Sequence, residues 1–351
     1  REIDRVGGYI NAYTTREYTC FYANMISKYT GTGIEILSDM LINSLFDKAE
    51  IEREKQVVLD EILMYNDAPD QLVHDLFIEN IWRDHSIGKP ILGSEETINS
   101  ITRNKLLNFF NENYIIENTL VSIAGNFDRD AVLKQLGELN FNAGKKRIQD
   151  GQSLKTYFDF QYKEKSIEQI YFCWGVKGIT NKDPNRYRLF VFSSLFGGGT
   201  SSRLYQEIRE KMGLCYSIYT FNSSFHSGGV FGIYSSTNPK NFERLYKAIQ
   251  EQIIFVRDNV VLEDELFIAK EQIKGNIIFS KESLEARMSR NAKNEIIFER
   301  QISYDEAIEN IEAISVKDIK EIAAMLFDNN EISFYAVGPK SLSKVVKELQ
   351  K

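Results

Sequence analysis

The chain has 351 residues, of which 43% are hydrophobic and 26% charged, with a net charge of −7. This is the composition of a globular protein long enough for two domains. The scattered lysines and arginines argue against nucleic-acid binding, and no apolar run is long enough to span a bilayer. The three cysteines, Cys20, Cys173 and Cys215, form no CxxC pattern, which favours a reducing, cytoplasmic location.

The first part of the chain alternates strand and helix patterns. Apolar spacing predicts, in order, strand–turn–strand over 8–23, helices over 31–46, 47–65 and 71–82, a helix from 102, and a strand over 120–124. Asp47 has the position of an N-cap, and Glu50 three residues later resembles a capping box. Pro69 is expected to end the long helix.

The second part of the chain repeats this order. Residues 1–15 (REIDRVGGYINAYTT) match 206–220 (QEIREKMGLCYSIYT) at an offset of 205, and 101–125 match 314–338 without a gap at an offset of 213. A repeat this long indicates two related domains. The second copy carries about fifty additional residues, from about Tyr157, with no counterpart ahead of the first copy. We therefore expect the chain to start partway into its first domain.

The repeat predicts the domain organisation and the fold class. A first domain is expected over 1–141 and a second over 156–351. The polar stretch within 142–155 reads as the linker. In the second copy we expect strands near Tyr216, over 231–235 and over 332–337, with helices from 242, 263 and 315. Each domain is predicted to be an α+β layer, an antiparallel sheet covered by helices on one face, with the first domain N-terminally truncated.

Two acidic residues on the long helix form the first candidate site. Glu54 and Glu61 are two turns apart and therefore share one stripe, beside apolar residues that predict Glu61 to point towards protein. Buried carboxylates are rare unless they are paired, hydrogen-bonded or bound to a metal. The alternative is a solvated helix face. The matching residues of the second copy are Ala269 and Asn276, so the fold itself does not require acids there.

Arg209 and Tyr216 form the second candidate site. Arg209 lies at the end of a predicted helix and Tyr216 in the strand after the turn, and the first copy has Asp4 and Asn11 at the matching positions. A cation and a phenol brought together in this way can hold a carbonyl oxygen or stabilise an oxyanion. The alternative is an arginine favoured by the helix dipole and a tyrosine on an amphipathic strand.

Other reactive residue types give weaker signals. The glycines at 197–199 lack the lysine of a phosphate loop and predict a tight turn. His74, His85 and His226 are isolated in sequence, and the chain contains neither HExxH nor HxxEH. His74 could reach Asp70 one turn away, but such a pair is predicted to lie on the surface.

Four stretches of the chain carry a further signal when they are taken together: GGYINAYTTREYTCFYA (7–23), FDKAEIEREKQVVLDEILMYNDAPD (46–70), DHSIGKPILGSEETI (84–98) and SSRLYQEIREKMGLCYSIYT (201–220). Together they resemble the pitrilysin/insulinase superfamily of zinc peptidases, in particular the branch of the mitochondrial processing peptidase and its bacterial relatives. The resemblance runs essentially end to end and includes the duplication. It implies a zinc-dependent metalloendopeptidase that acts on unfolded or extended peptides.

The resemblance assigns roles to residues of this chain. Glu61 matches the third zinc ligand of the family and Glu54 the glutamate that supports it. Arg209 and Tyr216 match the pair that contacts the substrate carbonyl. The edge strand that pairs with an extended substrate matches the residues Asn11, Ala12 and Tyr13.

The HxxEH motif, which supplies two zinc ligands and the general base in this family, is absent from the chain. We therefore expect Zn²⁺ in the intact protein, none bound to this chain, and no cleavage by it. The resemblance also implies a homodimer, or a heterodimer with a paralogue, in which the arginine and tyrosine come from the partner. The alternatives are a non-catalytic partner or core-like structural subunit of the same fold, and a simple peptide-binding module.

Overall fold

The computed structural model describes residues 1–145, 154–328 and 331–349. The helices are α1 (Glu2–Arg5), α2 (Thr30–Ile42), α3 (Lys48–Asp67), α4 (Pro69–Ile81), α5 (Glu95–Ser100), α6 (Arg103–Asn113), α7 (Arg129–Gly137), α8 (Arg186–Gly197), a π-helix (Tyr205–Lys211), α9 (Phe242–Asp258), α10 (Glu263–Ser280), α11 (Leu284–Phe298), α12 (Tyr304–Glu312), α13 (Val316–Phe327) and α14 (Ser343–Glu348). The strands are β1 (Tyr9–Thr14), β2 (Thr19–Asn24), β3 (Phe160–Glu164), β4 (Ile170–Lys177), β5 (Ser217–Ser224), β6 (Gly229–Thr237) and β7 (Ser333–Gly338).

The chain divides into two compact units that are both discontinuous in sequence. Unit 1 comprises Arg1–Leu63, Ile91–Gln149 and Ser280–Gln301, and unit 2 comprises Met64–Pro90, Asp150–Phe279 and Ile302–Lys351. The units therefore do not follow the contiguous ranges 1–141 and 156–351, which stay a prediction about the duplicated sequence. The linker predicted over 142–155 lies partly outside the described residues, because 146–153 are not described.

Unit 1 contains a two-stranded hairpin and surrounding helices. β1 and β2 are antiparallel, in a register from Tyr9 opposite Asn24 to Thr14 opposite Thr19. The predicted strand over 120–124 is wrong, because no strand is assigned there. The described part of unit 1 offers this segment no neighbouring strand in the sheet, and a strand needs such a neighbour for its backbone hydrogen bonds. The Ser122 hydroxyl instead donates to the Met288 carbonyl at 2.8 Å.

Unit 2 contains a five-stranded sheet in the order β3-β7-β4-β6-β5. The three contacts among β7, β4, β6 and β5 are antiparallel, but β3 runs parallel to β7, so the sheet is mixed. This corrects the prediction of a wholly antiparallel sheet. The strands expected near 216, over 231–235 and over 332–337 are confirmed as β5, β6 and β7.

The sheet of unit 2 is covered on both faces, which corrects the prediction of helices on one face. Along β4, Phe172 and Trp174 belong to the core that includes α8, α9 and α13, whereas Cys173 belongs to a second cluster that includes α4. β4 is buried over almost its whole length, as expected for a strand with helices on either side. The side chain of Phe77 on α4 is fully buried in this second cluster.

Candidate functional site

The start of α3 follows the sequence prediction. The Asp47 carboxylate accepts hydrogen bonds from the backbone N–H groups of Ala49 at 2.8 Å and Glu50 at 3.2 Å, so the predicted N-cap is confirmed. The Glu50 side chain pairs with Arg53 at 2.7 Å. The helix ends at Asp67, two residues before Pro69.

Glu54 and Glu61 both lie exposed on α3. The prediction that Glu61 points towards protein is wrong, because α3 buries none of its residues. Of the apolar neighbours on which that prediction rested, Val57 is 53% exposed, and Val58 and Ile62 are only half-buried. In the described structure the stripe is therefore a solvated one.

The two carboxylates cannot by themselves form a zinc site. Seven residues of helix separate Glu54 and Glu61 by about 10 Å along the axis, whereas ligands of one zinc ion each lie within about 2.3 Å of it. Over the described ranges, no three His, Cys, Asp or Glu side chains come together as a metal-binding group. The donor set present thus supplies at most one ligand, Glu61, and does not fit a three-ligand zinc centre.

Asn11, Ala12 and Tyr13 lie in the middle of β1 and are all exposed. Within the described residues β1 pairs with β2 alone, which leaves its other edge without a strand partner. The Asn11 side chain accepts a hydrogen bond from the Ala12 N–H at 2.8 Å and donates one to the Tyr9 hydroxyl at 2.6 Å. A peptide that adds to this edge would take the place of the Asn11 oxygen at Ala12.

The structure brings Arg209 and Tyr216 together. Arg209 lies on the π-helix and its guanidinium carbon is 5.3 Å from the centre of the Tyr216 ring. Tyr216 immediately precedes β5 rather than lying in it, and the turn between them passes through Gly213, whose φ of +61° favours glycine. Tyr216 is 77% exposed.

The Arg209 guanidinium contacts aromatic rings rather than acids. Its carbon also lies 4.5 Å from the centre of the Tyr205 ring. No hydrogen bond or ion pair of the guanidinium occurs with any residue that the structure describes. Its N–H donors are therefore available to an acceptor on a bound molecule.

Sequence reasoning missed a cluster in unit 2 that we call the His74 cluster, formed by His74, Cys173, Tyr219 and Tyr234. His74 Nε2 lies 2.9 Å from the Tyr219 hydroxyl and Nδ1 lies 3.6 Å from Cys173 Sγ. The imidazole stacks on the Tyr234 ring at 5.1 Å. Burial lowers the pKa of His74 to about 4, opposed in part by the charge of Asp70.

His74 is therefore half-buried rather than on the open surface, where the sequence predicted it. The signal that could have placed it is local, because Phe77 and Ile78 follow His74 by three and four residues and are buried on α4. That spacing puts His74 on the apolar stripe of the helix.

None of the helices in the described ranges combines the length and the apolar character that crossing a bilayer requires.

Comparisons with known proteins match both parts of the chain. Residues 1–95 match the family model described as Insulinase (Peptidase family M16), and residues 100–273 match that of the Peptidase M16 inactive domain. An uncharacterized zinc protease of Bacillus subtilis, YmxG, is 35% identical over 325 residues, covering 92% of this chain and 79% of that protein. An uncharacterized zinc protease of Rickettsia felis is 34% identical over 342 residues, covering 97% and 82% respectively.

Solved structures share the fold at low sequence identity. A protease from Helicobacter pylori has a TM-score of 0.88 at 19% identity, covering 96% of this chain and 84% of that chain. A chain of Complex III2 from Candida albicans has a TM-score of 0.84 at 18% identity, covering 97% of this chain and 83% of the other.

Proposed function

Because this chain belongs to the insulinase (M16) peptidase family, we propose that it serves a zinc-dependent endopeptidase that acts on unfolded or extended peptides, as a processing peptidase does. Its relatives in Bacillus subtilis and Rickettsia felis are named zinc proteases, and the M16 family models match both parts of the chain. The observation that carries the proposal is the Arg209 guanidinium, which contacts Tyr216 and has no acidic partner among the described residues.

Arg209 and Tyr216 would act on the substrate carbonyl. A guanidinium without a carboxylate partner has its N–H donors available for an acceptor, and the exposed phenol of Tyr216 can donate a second hydrogen bond. Donors of this kind stabilise the negative charge that develops on a carbonyl oxygen during attack. This polarisation is a task that the chain's own residues can perform.

The outer edge of β1 would hold the peptide backbone. Strand addition recognises an extended chain through main-chain hydrogen bonds and makes little demand on its sequence. The exposed residues Asn11, Ala12 and Tyr13 are the proposed contacts. A folded protein has few unpaired extended segments to offer, so the proposed substrates are unfolded peptides.

The described residues of the chain do not form a zinc site. Glu61 would offer one ligand and Glu54 would support it, but the described residues bring no three His, Cys, Asp or Glu side chains together as a metal-binding group. We propose that the chain by itself binds no zinc tightly and cleaves no peptide. Zinc analysis of the purified chain after dialysis against Zn²⁺ tests this, and one tightly held equivalent per chain would contradict it.

Peptide binding tests the rest of the proposal. We expect the chain to bind a fluorescein-labelled unstructured peptide, measured by anisotropy. Arg209→Gln should weaken that binding about 10- to 150-fold, because a charged hydrogen bond contributes about 1.5 to 3 kcal/mol. Arg244→Gln, at an exposed position on α9, is the matched control and should bind like the parent chain. Equal binding by the two variants would refute the role of Arg209.

We further propose that two copies of the chain, or the chain and a paralogue, assemble around a site to which one contributes Glu61 and the other Arg209 and Tyr216. Light scattering after gel filtration measures the mass directly. A monomer at micromolar concentration, with a paralogue present or absent, would contradict this part.

A second candidate is a non-catalytic partner or core-like subunit of the same fold. It is favoured by the match of residues 100–273 to the Peptidase M16 inactive domain and by the fold shared with a chain of Complex III2. The coding sequence upstream of Arg1 separates the candidates, because HxxEH in frame supports the enzyme. A neighbouring paralogue that carries the motif, with none upstream here, supports the partner role.

A further inference from the structure

Hydrogen bonds among the described residues fix the backbone around Tyr216, but none of them holds the side chain of Arg209. Thr237 donates a hydrogen bond to the Leu214 carbonyl at 2.6 Å, and Ser235 donates one to the Ser217 carbonyl at 2.8 Å. These bonds fix the chain on either side of Tyr216. Arg209 itself has a long, flexible side chain, for which the described structure offers no hydrogen-bonded partner, so something other than a salt bridge must restrict it.

Two aromatic rings restrict it. The guanidinium carbon is 4.5 Å from the centre of the Tyr205 ring and 5.3 Å from that of Tyr216, both within the range of cation–π attraction. Tyr205 is the nearer ring, and it is also the less exposed one. Its position relative to Arg209 is set by the π-helix, a rare element that is often found at functional sites.

We propose that Tyr205 is a positioning residue for Arg209, whose guanidinium it holds beside Tyr216 so that the N–H donors meet a peptide carbonyl. The inference rests on the proposed function of Arg209 and adds a residue to it. The ring of Tyr205 is the part that matters, because its hydroxyl has no hydrogen-bond partner in the described ranges. Its neighbours along the chain, Leu204 and Ile208, are fully buried, so the π-helix is anchored without Tyr205.

A thiol next to the pair reports on where the guanidinium lies. Cys215 precedes Tyr216 and is partly buried. Burial raises the pKa of the Cys215 thiol, while a hydrogen bond with Ser235 and the positive charge of Arg209 lower it. Because thiolate is the reactive form, the alkylation rate of Cys215 falls when Arg209 moves away.

The experiment measures iodoacetamide alkylation of Cys215 between pH 7 and pH 9.5 by mass spectrometry. The background is Cys20→Ser, and Cys173 is fully buried. We expect Arg209→Gln to slow alkylation at pH 8 roughly threefold, since the rate follows the thiolate fraction. Tyr205→Leu should slow it nearly as much, whereas Tyr205→Phe, which keeps the ring, should match the parent.

The outcomes separate this inference from the proposed function. An unchanged profile in Tyr205→Leu beside a shifted one in Arg209→Gln overturns the inference, and so does an unshifted profile in Arg209→Gln. Tyr205→Met, a second substitution that removes the ring, is measured in parallel, and the outcome is read from each variant that retains the parent tryptophan fluorescence spectrum. Peptide binding is scored independently, so its failure refutes the proposed function without altering the thiol result.

Discussion

The His74 cluster makes a quantitative prediction about stability at acid pH. Burial lowers the pKa of His74 from its ordinary value near 6.5 to about 4. The unfolded chain therefore binds more protons than the folded chain between these two values. The free energy of unfolding of unit 2 should fall as the pH falls through this window and lose nothing further from His74 below about pH 4.

The size of the effect follows from the two pKa values. The complete loss is about 3 kcal/mol, and about 2 kcal/mol of it should appear between pH 7 and pH 5. The cluster holds His74 in its neutral form, because its ring nitrogens contact Tyr219 and Cys173. The charge of Asp70 opposes the lowering of the pKa only in part.

Urea unfolding followed by tryptophan fluorescence measures this effect in the right unit, because Trp82 and Trp174 are the two tryptophans of the chain and both lie in unit 2. In His74→Gln, the fall in the free energy of unfolding between pH 7 and pH 5 should be about 2 kcal/mol smaller than in the parent chain. His226→Gln is the matched control and should keep the difference, because His74 is still present. If His74→Gln shows the same loss as the parent chain, the burial argument is refuted.

Two further predictions concern packing in unit 2. Phe77→Ala should lower the free energy of unfolding by about 4 kcal/mol, because the side chain is fully buried. Phe190→Ala, at a half-exposed site on α8, is the control and should cost less than about 1 kcal/mol. Equal losses in the two variants would contradict the packing of α4 in unit 2. Arg203→Ala should cost about 3 to 5 kcal/mol in the same urea assay, because Glu265, 2.9 Å away and largely buried, loses its partner. Lys344→Ala removes an exposed ion pair and should change little.

The parts of the structure that the sequence predicts are those fixed by neighbours along the chain. The N-cap at Asp47 depends on backbone groups two and three residues away, and it is confirmed. The cap at Ser315 is of the same kind, with its hydroxyl accepting from the Asp318 N–H at 3.3 Å. The α+β class is confirmed as well, because alternation and helical spacing are local patterns.

The parts that the sequence does not predict depend on distant residues. Periodicity shows that α4 has an apolar stripe but not which sheet it covers, so the second covered face of unit 2 and the burial of His74 were missed. Residues 120–124 have a strand composition, yet a strand forms only where another strand supplies hydrogen bonds. The contact of Arg209 with Tyr216 follows the predicted pairing, whereas the π-helix and the contribution of Tyr205 have no simple sequence pattern.

The compact units and the predicted repeats divide the chain differently. Helix α4 lies in the first repeat of the sequence but belongs to unit 2, and α11 lies in the second repeat but belongs to unit 1. A gene cut between the repeats would yield two products. Each would lack one helix of its compact unit and would carry one helix that belongs to the other unit. We therefore expect neither repeat, expressed alone, to fold as a complete compact unit.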